Sequence, residues 1–287
     1  MSVRYLTQAV EDVTVFYREA GPKDAPVILL LHGYPTSSHM FRDLIPRLAD
    51  KFRLIAPDLP GFGQTHAPPR GHFHYTFDNF ARIIDGFTQA LQLHRYAVYV
   101  FDYGAPTGFR LAALHKERIT AIISQNGNAY EEGLSEQWNL FRTYWKSPTA
   151  QNRAACKVTL TPEATRAQYQ TGSDLGLMAP DGYELDIAYL AREGQEDIQL
   201  DLIYDYRTNV ALYNDWHAYF RQDRPPMLVV WGDKDPFFLP PGAQAFQRDQ
   251  PEAEVSFVDS GHFALETRAG IIAARISEFM PRKARKG

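Results

Sequence analysis

Short, continuous apolar runs recur along this chain and alternate with segments of helical periodicity. The runs are VILLL after Pro26, LIAP after Arg53, YAVYVF before Asp102, ITAIIS after Arg118 and MLVVW after Pro226. A run of about four to eight apolar residues between turn residues is typical of a strand that is buried on both faces. Strands of this kind, separated by helices, predict a mostly parallel, doubly wound sheet with right-handed crossovers. The expected fold class is therefore α/β.

Hydrophobic periodicity predicts the other elements of the core. YLTQAV and VTVFYREA alternate in polarity, which favours two strands joined by a turn at Glu11 and Asp12, and EVSFV is expected to form the last strand. Amphipathic helices are predicted for four segments: HMFRDLIPRLAD in spite of its Pro46, FDNFARIIDGFTQALQL, GFRLAALHKE and ALETRAGIIAARISEFM.

The alternation is interrupted between Tyr130 and Arg224. This stretch is rich in aromatic and polar residues and carries only short helical signals. Its length of about 95 residues is too great for an ordinary loop. We therefore expect a first core part over residues 1–128, a helical cap inserted over residues 129–224 as a lid on the site, and a second core part over residues 225–287.

Composition limits the classes of partner. The net charge of −4 and the pI of about 6.1 do not suggest a nucleic-acid partner. The run VILLL is far shorter than the roughly 18 residues of a membrane span, and MSVRYLTQAV lacks the apolar core of a signal peptide. The single cysteine, Cys156, excludes an internal disulfide. We expect a cytoplasmic protein, monomeric or homodimeric, that binds a small-molecule substrate, contacts neither nucleic acid nor membrane, and needs no cofactor or metal.

Three ionisable residues follow predicted strands. Asp102 follows YAVYVF, Asp235 lies in WGDKDP, and His262 lies in DSGHF. Each has an ordinary structural interpretation: a helix N-cap for Asp102, a turn residue for Asp235 and a structural histidine for His262. Ligands of such sheets bind beyond the carboxyl ends of the strands, and the order acid, acid, histidine matches the order nucleophile, acid, histidine of a known catalytic triad. The combination predicts a triad with Asp102 as nucleophile.

Asp233 competes with Asp235 for the role of the second acid. Asp235 lies three residues after Gly232, farther out of the strand and freer to turn toward a histidine, and is therefore preferred. In LHGYPTSS, the pair His32 and Gly33 allows a tight turn at a strand end. The backbone N–H of Tyr34, with that of Tyr103, is expected to form an oxyanion hole. His32 itself and the turn DLPGFGQT are expected to be structural.

Five motifs in this order, HGYPTSS, DLPGFGQT, FDYGAPTGFRLA, WGDKDPF and SGHFALE, resemble the α/β-hydrolase superfamily. The resemblance is strongest to the branch that contains epoxide hydrolases and haloalkane or haloacetate dehalogenases, and it covers about residues 3–128 and 226–280. It implies the α/β-hydrolase fold with a helical cap. In that branch the nucleophile is an aspartate, which matches Asp102.

An aspartate nucleophile limits the chemistry. Attack on a carboxylic ester or amide would give an unstable anhydride, whereas attack on a saturated carbon gives an alkyl-enzyme ester. Water activated by His262 would hydrolyse that ester, and Asp235 would orient the histidine. The sequence therefore predicts cleavage of a C–O or a C–halogen bond.

The leaving group separates epoxide hydrolysis from dehalogenation. Haloalkane dehalogenases have a tryptophan where this chain has Tyr103, and haloacetate dehalogenases have arginines soon after the nucleophile, whereas the first arginine here is Arg110. The segment DYRTNVALY resembles the cap segment whose tyrosine protonates the leaving oxygen in epoxide hydrolases, which implies that role for Tyr206, with Tyr144 as a second donor. An epoxide hydrolase is favoured. A dehalogenase and a non-catalytic ligand-binding protein of the same fold are the alternatives.

Overall fold

The computed structural model describes residues 2–284, and within them one eight-stranded sheet has the order β1-β2-β4-β3-β5-β6-β7-β8. Its strands, in chain order, are Arg4–Val10, Val13–Ala20, Val27–Leu31, Arg53–Pro57, Tyr96–Val100, Ile119–Gln125, Met227–Gly232 and Glu254–Val258. β2 runs antiparallel to β1 and β4, and the other paired strands are parallel. The predicted fold class, α/β with a mostly parallel sheet, is confirmed.

β5 lies at the centre of the sheet and is buried on both faces. Val98 and Val100 pack into one apolar cluster, together with α2 (Phe77–Ala90) and α3 (Gly104–Leu114). Ala97 and Tyr99 point the other way, into a second cluster with α1 (Ile45–Leu48) and α12 (Ala264–Ala284). Because successive strand residues face opposite sides, a continuous apolar run satisfies both clusters at once. The end of β5 is thereby held rigidly at the middle of the sheet edge.

The insertion, as we call the chain between β6 and β7, is helical. Its helices α4 to α10 span Asn139–Lys146, Ala150–Ala155, Pro162–Gln170, Pro180–Leu190, Gln195–Asp205, Arg207–Ala211 and Tyr213–Asp223. The described residues of the insertion add no strand to the sheet. The limits 129–224 of a separate cap remain a prediction. No helix among residues 2–284 combines the length and the apolar character that crossing a bilayer requires.

Three helices differ from the sequence prediction. The long helix predicted for HMFRDLIPRLAD is wrong, because a 3-10 turn at Ser38–Phe41 is followed by the four-residue α1, with Pro46 in its first turn. Proline lacks an amide hydrogen and clashes with the preceding turn, so one helix cannot run through this segment. α3 begins at Gly104, four residues before the predicted start at Gly108. Pro106 does not prevent this, because it lies in the first turn, where backbone N–H groups have no helical acceptor and the missing N–H of proline breaks no helical hydrogen bond. The helix α11 (Pro240–Asp249) was not predicted.

Candidate active site

Asp102 stands in the sharp turn between β5 and α3. Its φ of 45° lies in the left-handed region, which aspartate tolerates better than most residues. The turn needs two glycines beside it: a Cβ at Gly33 would collide with the Asp102 side chain, and one at Gly104 would collide with the carbonyl oxygen of Leu31. A strained strand-to-helix turn of this kind presents its side chain at the edge of the sheet.

The two carboxylate oxygens of Asp102 have different surroundings. Oδ1 accepts hydrogen bonds from the backbone N–H of Tyr34 at 2.6 Å and from that of Tyr103 at 2.7 Å. Oδ2 accepts no hydrogen bond from the described residues and lies 3.7 Å from Nε2 of His262. The structure therefore brings the two predicted oxyanion-hole donors together on one oxygen and leaves the other oxygen free.

His262 is held by Asp235. Nδ1 of the imidazole lies 2.8 Å from Oδ2 of Asp235, whose Oδ1 accepts the backbone N–H groups of Phe237 at 2.8 Å and Phe238 at 3.1 Å. Both side chains are buried, whereas Asp233 is exposed at the surface. Of the two acids considered from the sequence, Asp235 is thus the one in contact with the histidine.

Asn126 is a site residue that the sequence reasoning missed. Its Nδ2 donates to Oδ2 of Asp235 at 2.7 Å, and its Oδ1 accepts the N–H of Gly232 at 3.0 Å. Its backbone has a φ of 46°, which asparagine adopts more readily than most residues. The available signal was the Asn-Gly pair at the end of ITAIISQNG, which also fits an ordinary turn.

Burial and neighbouring charges set the protonation states of Asp102 and His262. Burial raises the pKa of Asp102 to about 6, although the charge of His262 and the two backbone N–H groups oppose that rise. Burial alone would lower the pKa of His262, but the charge and hydrogen bond of Asp235, with the charge of Asp102, raise it above its ordinary value. The site therefore favours an ionised Asp102 near neutral pH beside a histidine that can gain and lose a proton.

A cavity of about 70 Å³ opens in front of these groups. The core contributes Tyr34, Asp102, Tyr103, Phe237 and His262 to its wall, and the insertion contributes Gln137, Trp138, Phe141, Thr159, Gln168 and Ile203. Of the described residues, no lysine or arginine lines it. The indole N–H of Trp138 donates to the carbonyl of Phe237 at 3.1 Å and is not free for a ligand.

The two tyrosines expected to act from the cap are placed differently. The Tyr206 ring is buried 5.9 Å from that of Tyr103 and 4.5 Å from that of Trp138, behind the cavity wall, and its hydroxyl interacts with that of Tyr213. The Tyr144 hydroxyl instead accepts a hydrogen bond from Arg153 at 3.2 Å, and Tyr144 is not among the residues that line the cavity. Neither tyrosine lines the cavity, but Tyr206 packs directly against the lining residues Tyr103 and Trp138.

His32 lies beneath the site as a structural residue, as expected. Its Nε2 accepts the backbone N–H of Leu59 at 2.9 Å, and its Nδ1 lies 3.0 Å from the carbonyl oxygen of Gly33. Burial lowers the pKa of His32, which keeps the ring neutral. The DLPGFGQT turn is likewise structural, because Asp58 accepts the N–H groups of Ser38 and Gln64, each at 2.7 Å.

Comparison with known proteins identifies the family of this chain. The profile of the alpha/beta hydrolase fold matches residues 26–269. The chain is 44% identical over 274 residues to the uncharacterized hydrolase YNR064C of Saccharomyces cerevisiae, covering 94% of each. It is 29% identical over 294 residues to a haloalkane dehalogenase of Mycobacterium marinum, covering 96% of this chain and 92% of the relative. The solved haloalkane dehalogenase DbeA of Bradyrhizobium elkani has a TM-score of 0.80 at 21% identity, with 100% of both chains covered. The protein therefore belongs to the α/β-hydrolase fold family.

Proposed function

We propose that this hydrolase opens small epoxides through an ester formed on Asp102. The observation that carries the proposal is the difference between the two oxygens of that carboxylate. Oδ1 is fixed by two backbone N–H groups, and Oδ2 has no hydrogen bond within residues 2–284. A free, buried carboxylate oxygen is suited to attack a saturated carbon.

In the first step, Oδ2 of Asp102 attacks one carbon of the epoxide ring. A C–O bond forms on the aspartate, the C–O bond of the ring breaks, and its electron pair moves to the ring oxygen. That oxygen takes a proton from a tyrosine and becomes a hydroxyl group. The tyrosinate regains its proton from solvent before the next turnover.

In the second step, a water molecule attacks Cγ of Asp102 while Nε2 of His262 takes its proton. Negative charge develops on Oδ1, which already lies between the N–H groups of Tyr34 and Tyr103. Asp235 stabilises the charged imidazole through its contact with Nδ1. Collapse of the intermediate releases the diol, which takes the proton from His262. The carboxyl group left on Asp102 then loses its proton to solvent, which restores the carboxylate and balances the proton that the tyrosinate takes up.

The cavity wall favours an epoxide over a halide. Of the groups that could bind a departing halide, the Trp138 indole N–H is already bound to a backbone carbonyl and no cation lines the described wall, so the Tyr103 hydroxyl and the Gln168 amide are the side-chain donors that remain. The Tyr103 hydroxyl has no hydrogen-bond partner among the described residues, and Tyr206 packs against it. Burial raises the pKa of both phenols well above the ordinary value, so both stay protonated near neutral pH, and Tyr103, which lines the cavity, can donate to an oxygen leaving group. The similarity to haloalkane dehalogenases makes dehalogenation the second candidate.

The test measures epoxide opening and halide release in parallel on the wild type, Tyr206→Phe and Tyr103→Phe. Each variant keeps the ring and removes one hydroxyl. The variant that lacks the proton donor should lose roughly 10²–10⁴-fold in epoxide turnover. Haloalkane turnover, where present, should fall less, because a halide takes no proton. Halide release without epoxide opening would assign a dehalogenase, and turnover of neither class would favour a ligand-binding protein.

A further inference from the structure

Gln168 is a buried amide in the cavity wall that no described group binds. It lies on α6, is only 9% exposed, and lines the cavity. Within residues 2–284 no hydrogen bond is found for its side chain. The other buried amides of the described chain each make at least one: Gln125, Asn126, Asn128, Gln199, Asn209 and Gln250.

The Gln168 amide is available to bind a ligand in the cavity. The amide atoms of Gln168 keep some accessible surface, and because the residue lines the cavity, this surface faces the space that a ligand would fill. Two hydroxyl groups of the wall, in contrast, are bound within the chain. The Tyr34 hydroxyl donates to the carbonyl of Thr159 at 3.1 Å, and the Thr159 hydroxyl donates to the carbonyl of Cys156 at 2.8 Å. Gln168 therefore has free donors and a free acceptor where a ligand would sit.

The wall that carries Gln168 is fixed against the catalytic histidine. The next residue, Tyr169, stacks its ring on that of Phe263 with the centroids 3.7 Å apart. Farther along the chain, the Ser173 hydroxyl accepts the N–H of Gly261 at 3.3 Å. These contacts flank His262 on both sides. Gln168 thus lines the same cavity as Asp102 and His262, on a segment that packs against both neighbours of the histidine.

The size of the cavity limits what can reach both Asp102 and Gln168. The cavity volume of about 70 Å³ is small, which favours a compact ligand. We infer that Gln168 determines specificity, its amide binding a hydroxyl or carbonyl substituent on a compact epoxide. This inference rests on the proposed function and adds the substrate class: small epoxides that carry one polar group.

The experiment compares substrates of equal size that differ in one polar group. Glycidol and 1,2-epoxybutane form one pair, and 3-bromo-1-propanol and 1-bromobutane form a second pair with a halide leaving group. The ratio of kcat/KM for the polar and the apolar member is measured on the wild type, on Gln168→Met and on Gln170→Met. Methionine keeps the length of glutamine without its amide, and Gln170 lies on the same helix outside the cavity wall.

The wild type and Gln170→Met should prefer the polar member, and Gln168→Met should lower that preference by roughly 2- to 10-fold, the effect of one hydrogen bond. Its melting temperature should not fall, because the lost amide has no partner in the fold. An unchanged ratio, or a marked loss of melting temperature, would overturn the role of Gln168. Turnover of only the halide pair would refute the proposed epoxide hydrolase while still testing Gln168 on that pair. Turnover of neither pair would refute both.

Discussion

Nε2 of His262 lies 3.7 Å from Oδ2 of Asp102, too far for a hydrogen bond, although the other imidazole nitrogen is held at 2.8 Å by Asp235. A histidine that activated a serine would have to bind the attacking oxygen. An ionised carboxylate needs no such activation, because it already carries the electron pair that attacks. The gap leaves His262 available for water, which is needed only in the second step.

His262→Gln should therefore allow the ester on Asp102 to form and then accumulate. Glutamine keeps a polar side chain in the same place but cannot accept the proton of the attacking water at neutral pH. Intact-protein mass spectrometry after mixing with a substrate of the wild type should show a mass increase equal to one substrate molecule. Peptide mapping should place it on Asp102. Asp102→Asn combined with His262→Gln is the control and should show no adduct, whereas an unmodified His262→Gln protein would refute the two-step mechanism.

The pH dependence of the first step should report the ionisation of Asp102. Burial raises its pKa to about 6, so kcat/KM should fall as pH drops through about 6, where the carboxylate gains a proton and loses its nucleophilic form. Because the His262 charge opposes the rise in the pKa of Asp102, ester formation in His262→Gln should decline at a higher pH than in the wild type. A first step that keeps its rate down to pH 4.5 would contradict this assignment.

Asn126→Gly should slow the second step more than the first. The change removes the donor to Asp235 and the acceptor of the Gly232 N–H, while glycine still adopts the positive φ. Loss of one hydrogen bond to a charged group should slow ester hydrolysis by roughly tenfold to a hundredfold. Rapid-quench kinetics should then show a burst of ester followed by slow turnover. Asn126→Ala should have the same kinetics but a lower melting temperature, since alanine is strained at this φ. Equal slowing of both steps would remove Asn126 from the support of His262.

The positions that sequence reasoning placed well are those fixed by local signals. A strand that ends in a polar residue puts that residue at the sheet edge whatever the rest of the chain does, so Asp102, Asp235 and His262 meet there. Asn126 was missed because its contact with Asp235 joins residues 109 positions apart. Whether Tyr144 and Gln168 face the cavity depends on how the short helices of the insertion are oriented. Such helices have weak periodicity, and packing decides their orientation.

A second buried carboxylate, unrelated to the triad, predicts how stability changes with pH. Asp186 on α7 is fully buried, and its Oδ2 accepts the Tyr169 hydroxyl at 2.5 Å, while Oδ1 has no partner within the described chain. Burial raises the pKa of Asp186 from 3.8 to about 8. The hydroxyl groups of Tyr169 and Thr36 and the charge of Arg42 oppose this rise, and the charge of Glu266 adds to it. Near neutral pH the folded protein therefore keeps a proton on Asp186.

The stability of Asp186→Asn relative to that of the wild type should increase with pH. The wild-type fold retains a proton that the unfolded chain releases above about pH 4, so this group lowers stability progressively from about pH 4 to about pH 8 and by a constant amount above that. Asparagine does not ionise, and its oxygen can still accept the Tyr169 hydroxyl. Melting temperatures measured from pH 4 to pH 9 should therefore diverge across this window in favour of the variant. Asp181→Asn, on the exposed side of α7, controls for the loss of one negative charge. A difference between Asp186→Asn and the wild type that does not change with pH would show that Asp186 is ionised in the fold.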